Sequence, residues 1–107
     1  MALTKDFADT VRARAQRDPR YRRALLREAL ESLLSEDLDT AKGLLRDYIN
    51  ATVGFEALAK AIDVPSKSLM RMLGPQGNPQ ASNLFTLIRG LLRRERVAVD
   101  VQLRKVS

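Results

Sequence analysis

The sequence contains no cysteine, no histidine and no tryptophan among its 107 residues. The absence of cysteine excludes disulfide bonds and thiolate chemistry, and it is consistent with a reducing compartment. Without cysteine and histidine, the chain also lacks the usual nucleophile and general-base pairs and the common zinc ligands. We therefore expect a protein that is not an enzyme and that binds no metal and no other cofactor.

Long hydrophobic runs are missing as well. No stretch approaches the roughly 18 apolar residues of a membrane span, and the first charged residue, Lys5, comes before any apolar segment of a signal peptide. A chain of this length with 45% hydrophobic residues can bury roughly two thirds of its unfolded surface. The sequence therefore predicts one soluble, cytoplasmic protein with no membrane partner.

The positive charge is unevenly distributed along the chain. The net charge is +6 overall, with +3 in residues 1–34, −2 in residues 35–51, +1 in residues 52–80 and +4 in residues 81–107. The basic residues that could attract phosphate groups are Arg12, Arg14, Arg20, Arg22, Arg23, Arg93, Arg94 and Arg96. The alternative is that these side chains form solvated helix faces.

Apolar residues recur at helical spacing through most of the chain. Asp18 followed by Pro19 predicts a helix start, because aspartate accepts the free N–H groups of a first turn and proline loses nothing there. Two leucine-rich stripes, in residues 19–34 and 38–49, predict an antiparallel helix pair that supplies core residues. After the turn signals in residues 74–79, a last stripe in residues 84–92 predicts one more helix.

Residues 55–73, FEALAKAIDVPSKSLMRML, have the pattern of a helix-turn-helix. Ala59 is small enough for two short helices to cross, Asp63 ends the first helix, and Pro65 opens the second. The outward positions of the second helix are then occupied by groups that can donate to phosphates and base edges: Ser66, Lys67, Ser68 and Arg71. The pattern therefore indicates DNA as the first partner to consider.

The final segment has a two-residue period, which is typical of a half-buried strand. Its apolar positions are Val97, Val99, Val101 and Leu103. A lone strand needs a partner for its backbone groups, so we expect it to pair with its copy in a homodimer and to bury these four side chains. The alternatives are a strand added to the sheet of another protein and a disordered basic tail.

Together these patterns predict an all-α fold, a compact helix bundle with a helix-turn-helix, extended by a C-terminal β-strand. Three parts are expected: an N-terminal basic helix or arm in residues 1–17, a helical DNA-binding domain in residues 18–94, and a strand or tail in residues 95–107.

The stretch from Ala29 through Leu92, roughly 60% of the chain, resembles the antidote (antitoxin) repressors of bacterial addiction modules. These belong to the lambda-repressor-like, Xre-type helix-turn-helix superfamily. The resemblance is carried by EALESLLSEDLDTAKGLL, by LAKAIDVPSKSLMRML and above all by GPQGNPQASNLFTLI. The last of these is similar to the glycine, asparagine and proline sequence that follows the recognition helix in this family.

The resemblance implies a repressor that binds its own double-stranded DNA operator and neutralises a RelE-type ribonuclease toxin. Ser66, Lys67 and Arg71 fall on the family's base- and phosphate-contacting positions, and Ser68 is a further phosphate contact. The loop residues Gln76, Gly77 and Asn78 fall where the family approaches the DNA backbone. Alternatively, Ser66 caps the helix and Lys67 is only solvated.

Two departures from the family pattern lie close to the helix-turn-helix. Asp63 stands where the turn usually carries glycine, and Gln80 replaces the serine that commonly caps the next helix. The extra residues at both ends also exceed the family core. Two other functions therefore stay open: a stand-alone regulator of phage or plasmid type, and a protein-interaction module on a degenerate helix-turn-helix.

Overall fold

Six α-helices account for most of residues 5–107, the part of the chain described by a computed structural model. They are α1 (Lys5–Arg17), α2 (Pro19–Leu34), α3 (Leu38–Ala51), α4 (Phe55–Ile62), α5 (Ser66–Met72) and α6 (Ala81–Glu95). The prediction of an all-α bundle is confirmed. Within these residues, none of the helices combines the length and the apolar character needed to cross a membrane.

The start of α2 follows directly from the local sequence. The Asp18 carboxylate accepts hydrogen bonds from the backbone N–H groups of Arg20 and Tyr21 at 3.0 and 3.3 Å, and Pro19 occupies the first helical position. The helix ends at Ser35, and Glu36 turns the chain with a left-handed backbone (φ 62°). Three residues separate α2 from α3, so the two helices pack against each other.

The core lies where α2 and α3 meet the helices that follow them. The largest fully buried side chains are Leu45, Tyr48, Ile49, Leu58, Leu69, Leu73, Leu87 and Leu91. They come from α3, α4, α5, α6 and the residue after α5. Because α5 contributes Leu69 and is followed by Leu73, its inner side is fixed by the core and its outer side is left to solvent.

A largely buried polar network joins helices that are far apart in the chain. Glu95 at the end of α6 accepts two hydrogen bonds from Arg22 Nε, at 3.0 and 3.1 Å, and one from the Tyr48 hydroxyl. Arg22 also donates to the carbonyl oxygen of Ala15 at 2.8 Å. The network therefore connects the end of α1 with α2, α3 and α6, and nothing in the sequence pattern indicated it.

The ionisation of this network is perturbed in the directions that its contacts require. Burial alone would raise the pKa of Glu95, but the hydrogen bonds from Arg22 and Tyr48 and the nearby guanidinium charges outweigh burial and lower it. Burial and the hydrogen bond to Glu95 raise the pKa of Tyr48. The carboxylate and the neutral phenol are therefore the states that stabilise the fold.

The prediction of a C-terminal β-strand is wrong. Residues 97–107 form no strand, and α6 ends at Glu95, after which the left-handed backbone of Arg96 (φ 60°) redirects the chain. Helices keep their own backbone hydrogen bonds, so residues 5–107 offer the segment no strand to pair with. Val97 and Val99 line a groove beside α2, although Val99 is half exposed, and Val101 and Leu103 are largely exposed. The strand pairing that was to bring these four residues together in a dimer therefore loses its basis.

Candidate nucleic-acid interface

Helices α4 and α5 are joined by a turn of three residues, 63–65. Asp63 adopts the left-handed conformation (φ 57°, ψ 50°) for which glycine is the usual choice, and aspartate tolerates it better than most residues. The Val64 N–H donates to the carbonyl oxygen of Ala59 at 3.0 Å, and Ala59 itself is buried. The departure at Asp63 thus leaves the tight turn intact.

The solvent side of α5 consists of Lys67, Met70 and Arg71, which we call the α5 outer face. All three are exposed, with 48% of Met70 accessible, whereas the neighbouring Leu69 is 1% exposed. Their spacing of three and four residues puts them on one side of the helix. The face combines two cations with one apolar side chain, and the sequence patterns had assigned Met70 no role.

A concavity of about 430 Å³ lies between α5, the loop after it and the start of α6. Four of the predicted contact residues line it: Ser68, Arg71, Gln76 and Asn78. Asn83 and Thr86 of α6 complete its polar wall. The fold therefore brings Ser68 of α5 and Asn78 of the following loop to the same concavity, beside the α5 outer face.

Ser66 lies elsewhere. It lines a second concavity, of about 440 Å³, on the turn side of α5, together with Lys60 and Asp63. Pro65 occupies the N-cap position, and the helix has no side-chain cap, so Ser66 does not serve as one. Lys67 is exposed on the α5 outer face. The predicted contact residues therefore form one cluster of four with two outlying side chains.

The loop of residues 74–77 is fixed by Lys42 of α3. The Lys42 side chain is 3% exposed, and its ammonium group donates to the carbonyl oxygens of Gly74 at 2.9 Å, Gly77 at 2.7 Å and Pro75 at 3.5 Å. A buried ammonium group is costly unless it is paired, and these oxygens pair it together with the Asp39 carboxylate at 3.6 Å. Gln76 thus lies between two residues whose carbonyl groups are held by α3.

The same loop also packs closely against the end of α5. A Cβ atom at Gly77 would lie 2.3 Å from the carbonyl oxygens of Arg71 and Met72, so only glycine allows this approach. One helical turn after Lys42, the Arg46 guanidinium donates to the carbonyl oxygen of Leu73. Two cations of α3 therefore meet the carbonyl end of α5, where the helix dipole favours positive charge.

The sequence patterns had assigned these α3 cations no role. Lys42 and Arg46 are the only basic residues of the acidic stretch 35–51, four positions apart, and they resemble a solvated pair. Their spacing on one helix face was the available signal. The loop they hold is 27 to 35 residues further along the chain, and no local pattern reports such a distance.

The arginines outside α5 do not contribute equally to the surface charge. Arg22 is committed to Glu95, and its side chain is only 21% exposed. Arg14 lies over the Tyr21 ring at 4.8 Å and near the Asp18 carboxylate at 3.8 Å. By contrast, several arginines expected to attract phosphate are exposed: Arg12, Arg20, Arg23, Arg93, Arg94 and Arg96.

Comparison with known proteins gives no match to the chain, whether among protein-family models, curated sequences or solved structures. The resemblance to antitoxin repressors stays an expectation from the sequence.

Proposed function

We propose that the protein is a sequence-specific DNA-binding transcriptional repressor that places α5 in the major groove. The observation that carries this proposal is the gathering of Ser68, Arg71, Gln76 and Asn78 around one concavity beside an exposed helix face. Two short helices joined by three residues present that face. The chemistry is binding, without a catalytic step.

Each polar group of this surface has a role in the proposal. Arg71 donates two parallel hydrogen bonds to a guanine base edge, which is the commonest specific contact in a major groove. Lys67 neutralises a phosphate and acts on every sequence alike. Gln76 and Asn78 donate amide hydrogens to the DNA backbone, and their loop is held in place by Lys42.

The charge distribution supports a division of labour. The α5 outer face has two cations, and the 74–80 loop has no charged residue. Selectivity therefore comes from α5, and much of the phosphate attraction comes from exposed arginines elsewhere. As a repressor that pairs two copies on DNA, the protein would bind half-sites about 10 base pairs apart.

The test begins by selecting preferred duplexes from a random DNA library. Affinity is then measured at physiological salt for Arg71→Ala, Lys67→Ala and the double variant. Arg71→Ala is expected to lose about 1–3 kcal/mol of discrimination at one base pair, and Lys67→Ala to weaken all duplexes alike. Arg12→Ala removes an exposed arginine of α1 and should leave the base preference unchanged. A double variant that binds the selected duplex as tightly as the wild type would refute the assignment.

The resemblance supports a narrower form of this proposal, in which the repressor is the antitoxin of a type II toxin-antitoxin module and binds a RelE-type toxin. The test is co-expression with the product of the neighbouring gene. If that product is a small protein that arrests growth only in the absence of this chain, the antitoxin role is supported. If growth is indifferent to either protein, the stand-alone regulator is the better description.

A further inference from the structure

The outward side of α2 has an unusual order of side chains. Arg20, Arg23, Arg27, Glu31 and Leu34 follow one another at intervals of three and four residues, so they lie along one side of the helix, which we call the α2 outer face. All five are exposed. The first three are positive, the fourth is negative and the last is apolar.

Leu34 is the one apolar residue of this face, and its side chain is largely exposed to solvent. Its accessible fraction is 87%, and it is the last residue of α2. Exposed carboxylates follow it at Glu36 and Asp37. A single exposed leucine is common on protein surfaces. Here, however, the apolar side chain is flanked by acidic groups, so any surface that binds it should be apolar and edged with cations.

Such a surface lies along residues 20–30 of the same helix. A groove of about 460 Å³ runs between α2 and residues 97–100, which we call the α2–tail groove. Its apolar lining comes from Leu26, Leu30, Leu92, Val97 and Val99. Three arginines of α2, Arg20, Arg23 and Arg27, also line it, against one carboxylate, Asp100. The groove is thus apolar with a net positive edge, which matches the apolar and acidic end of α2.

Leu34 cannot enter the groove of its own molecule, because it lies on the same rigid helix beyond the groove's last α2 residue, Leu30. Leu34 follows Leu30 by four residues, about 6 Å along the axis, and Leu26 by eight residues, about 12 Å. In a second copy placed antiparallel to the first, the direction is reversed. Leu34 of each copy then faces the α2–tail groove of the other, and Arg27 faces Glu31.

We propose that the α2 outer face binds a second copy of this chain about a two-fold axis, with the two α2 helices antiparallel. The charge order decides the direction, since a parallel pairing would place the arginines of both copies together. Each copy supplies both the apolar knob and its groove, so the contact is self-complementary. The pairing needs no strand and no DNA, and it stands even if the proposed function fails.

The competing occupant is an acidic, apolar segment of another protein. The chain's own second copy is favoured because it already presents Leu34 together with Glu36 and Asp37. The Arg27–Glu31 ion pair within one helix is weak, at 3.6 Å with both side chains about 70% exposed, so exchanging it between copies costs little.

The experiment uses the full chain without DNA and measures mass against concentration by sedimentation equilibrium. The wild type is expected to form dimers. Leu34→Asp should raise the dissociation constant about 100-fold or more, because each dimer loses two buried leucines. Met70→Asp introduces the same charge at an exposed apolar position of α5 and should leave the dimer intact.

A charge exchange gives the sharper test. Arg27→Glu makes positions 27 and 31 both negative, and Glu31→Arg makes them both positive, so each variant alone should be monomeric. A mixture of the two should form a heterodimer, because position 27 of each copy then meets position 31 of the other with opposite charge. A wild type that stays monomeric at every concentration overturns the proposal. So does a Leu34→Asp variant that dimerises normally, or a mixture of charge variants that does not associate.

Discussion

The ammonium group of Lys42 lies 2.7 Å from the carbonyl oxygen of Gly77, although 35 residues separate the two along the chain. This contact joins α3 to the loop that shapes the concavity beside α5. The position of Gln76 and Asn78 therefore depends on a residue that never reaches the surface. Lys42 therefore shapes the concavity beside α5 without lining it.

Replacement of Lys42 by methionine keeps the apolar stem and removes the ammonium group. The Gly77 carbonyl group then loses the Lys42 donor, and the Gly74 carbonyl group keeps its hydrogen bond from the Gly77 N–H at 2.9 Å, so we expect the free energy of unfolding to fall by about 1–3 kcal/mol. Urea denaturation measures this loss, and faster amide exchange in the 74–77 loop should accompany it. Lys60→Met, at an exposed position of α4, should change stability by less than about 0.5 kcal/mol. Equal stability of the two variants would show that the loop is held by other contacts.

The Glu95 network predicts a loss of stability in acid. The pKa of Glu95 is lower in the folded chain than its ordinary value of 4.5, so the carboxylate stabilises the fold at neutral pH. That contribution is lost as the pH falls below about 4.5 and through the folded-state pKa.

Glu95→Gln removes the charge permanently and should lower the free energy of unfolding at pH 7 by about 1.5–3 kcal/mol. The gap between variant and wild type should narrow as the pH falls below about 4.5 and through the folded-state pKa of Glu95, when measured by urea denaturation at a series of pH values. Glu28→Gln, at an exposed position of α2, is the control and should leave the pH profile unaltered. A gap that stays constant with pH would contradict the role of the carboxylate.

At two glycines inside helices, we expect the same substitution to have different effects. A Cβ atom at Gly90 of α6 would lie 2.7 Å from Ile62 Cγ2, whereas one at Gly43 of α3 would lie 3.8 Å from its nearest neighbour, Arg46 Nη2. Both changes to alanine gain roughly 1 kcal/mol of helix propensity. Only Gly90→Ala also overpacks the contact between α4 and α6, at a cost of about 1–3 kcal/mol.

We therefore expect Gly43→Ala to raise the midpoint of thermal unfolding and Gly90→Ala to leave it unchanged or lower it. Calorimetry on the two variants compares them directly, because the propensity gain cancels in the difference. If Gly90→Ala stabilised the protein as much as Gly43→Ala, α4 and α6 would not approach each other this closely.

If the proposed function is correct, we expect Met70 to contact a thymine base. Its exposed side chain lies between two cations on the α5 outer face, and an apolar group at such a place can meet the 5-methyl group of thymine. Replacing the contacted thymine by uracil in a selected duplex should weaken binding about fourfold, as expected for one buried methyl group.

The same base change should have no effect on the Met70→Ala variant, as measured by fluorescence anisotropy. The loss of discrimination in the variant, rather than its absolute affinity, is the informative readout. A variant that still distinguishes thymine from uracil would place Met70 away from the base edges.

Most of the secondary structure could be predicted from local sequence signals. The features that were missed depend on contacts between residues that are far apart in the chain. Asp18 and Pro19 predict the start of α2, because a helix cap involves only neighbouring residues. Asp63 ends α4 for the same reason. The contact of Arg22 with Glu95 spans 73 positions, and no periodicity encodes it.

The prediction of a strand in the C-terminal segment was wrong for a related reason. Alternation of Val97, Val99 and Val101 describes a side-chain pattern, but a strand exists only when another backbone pairs with it. The left-handed Arg96 sends the chain along α2 instead. For the interface, residue types on α5 could be assigned from the sequence, whereas the gathering of loop and helix around one concavity required the tertiary fold.

Helix α5 has only seven residues. Isolated helices shorter than about 12–15 residues are marginal in water, so α5 owes its shape to Leu69, Leu73 and the α3 cations rather than to its own sequence. Its backbone is thus ordered when the domain folds, and the entropy of that ordering is not lost again on association. On the proposed function, DNA would therefore bind a helix that is already ordered. The heat-capacity change of DNA binding should then be set by the buried contact area alone. DNA binding should also be lost over the same temperature range in which the domain unfolds.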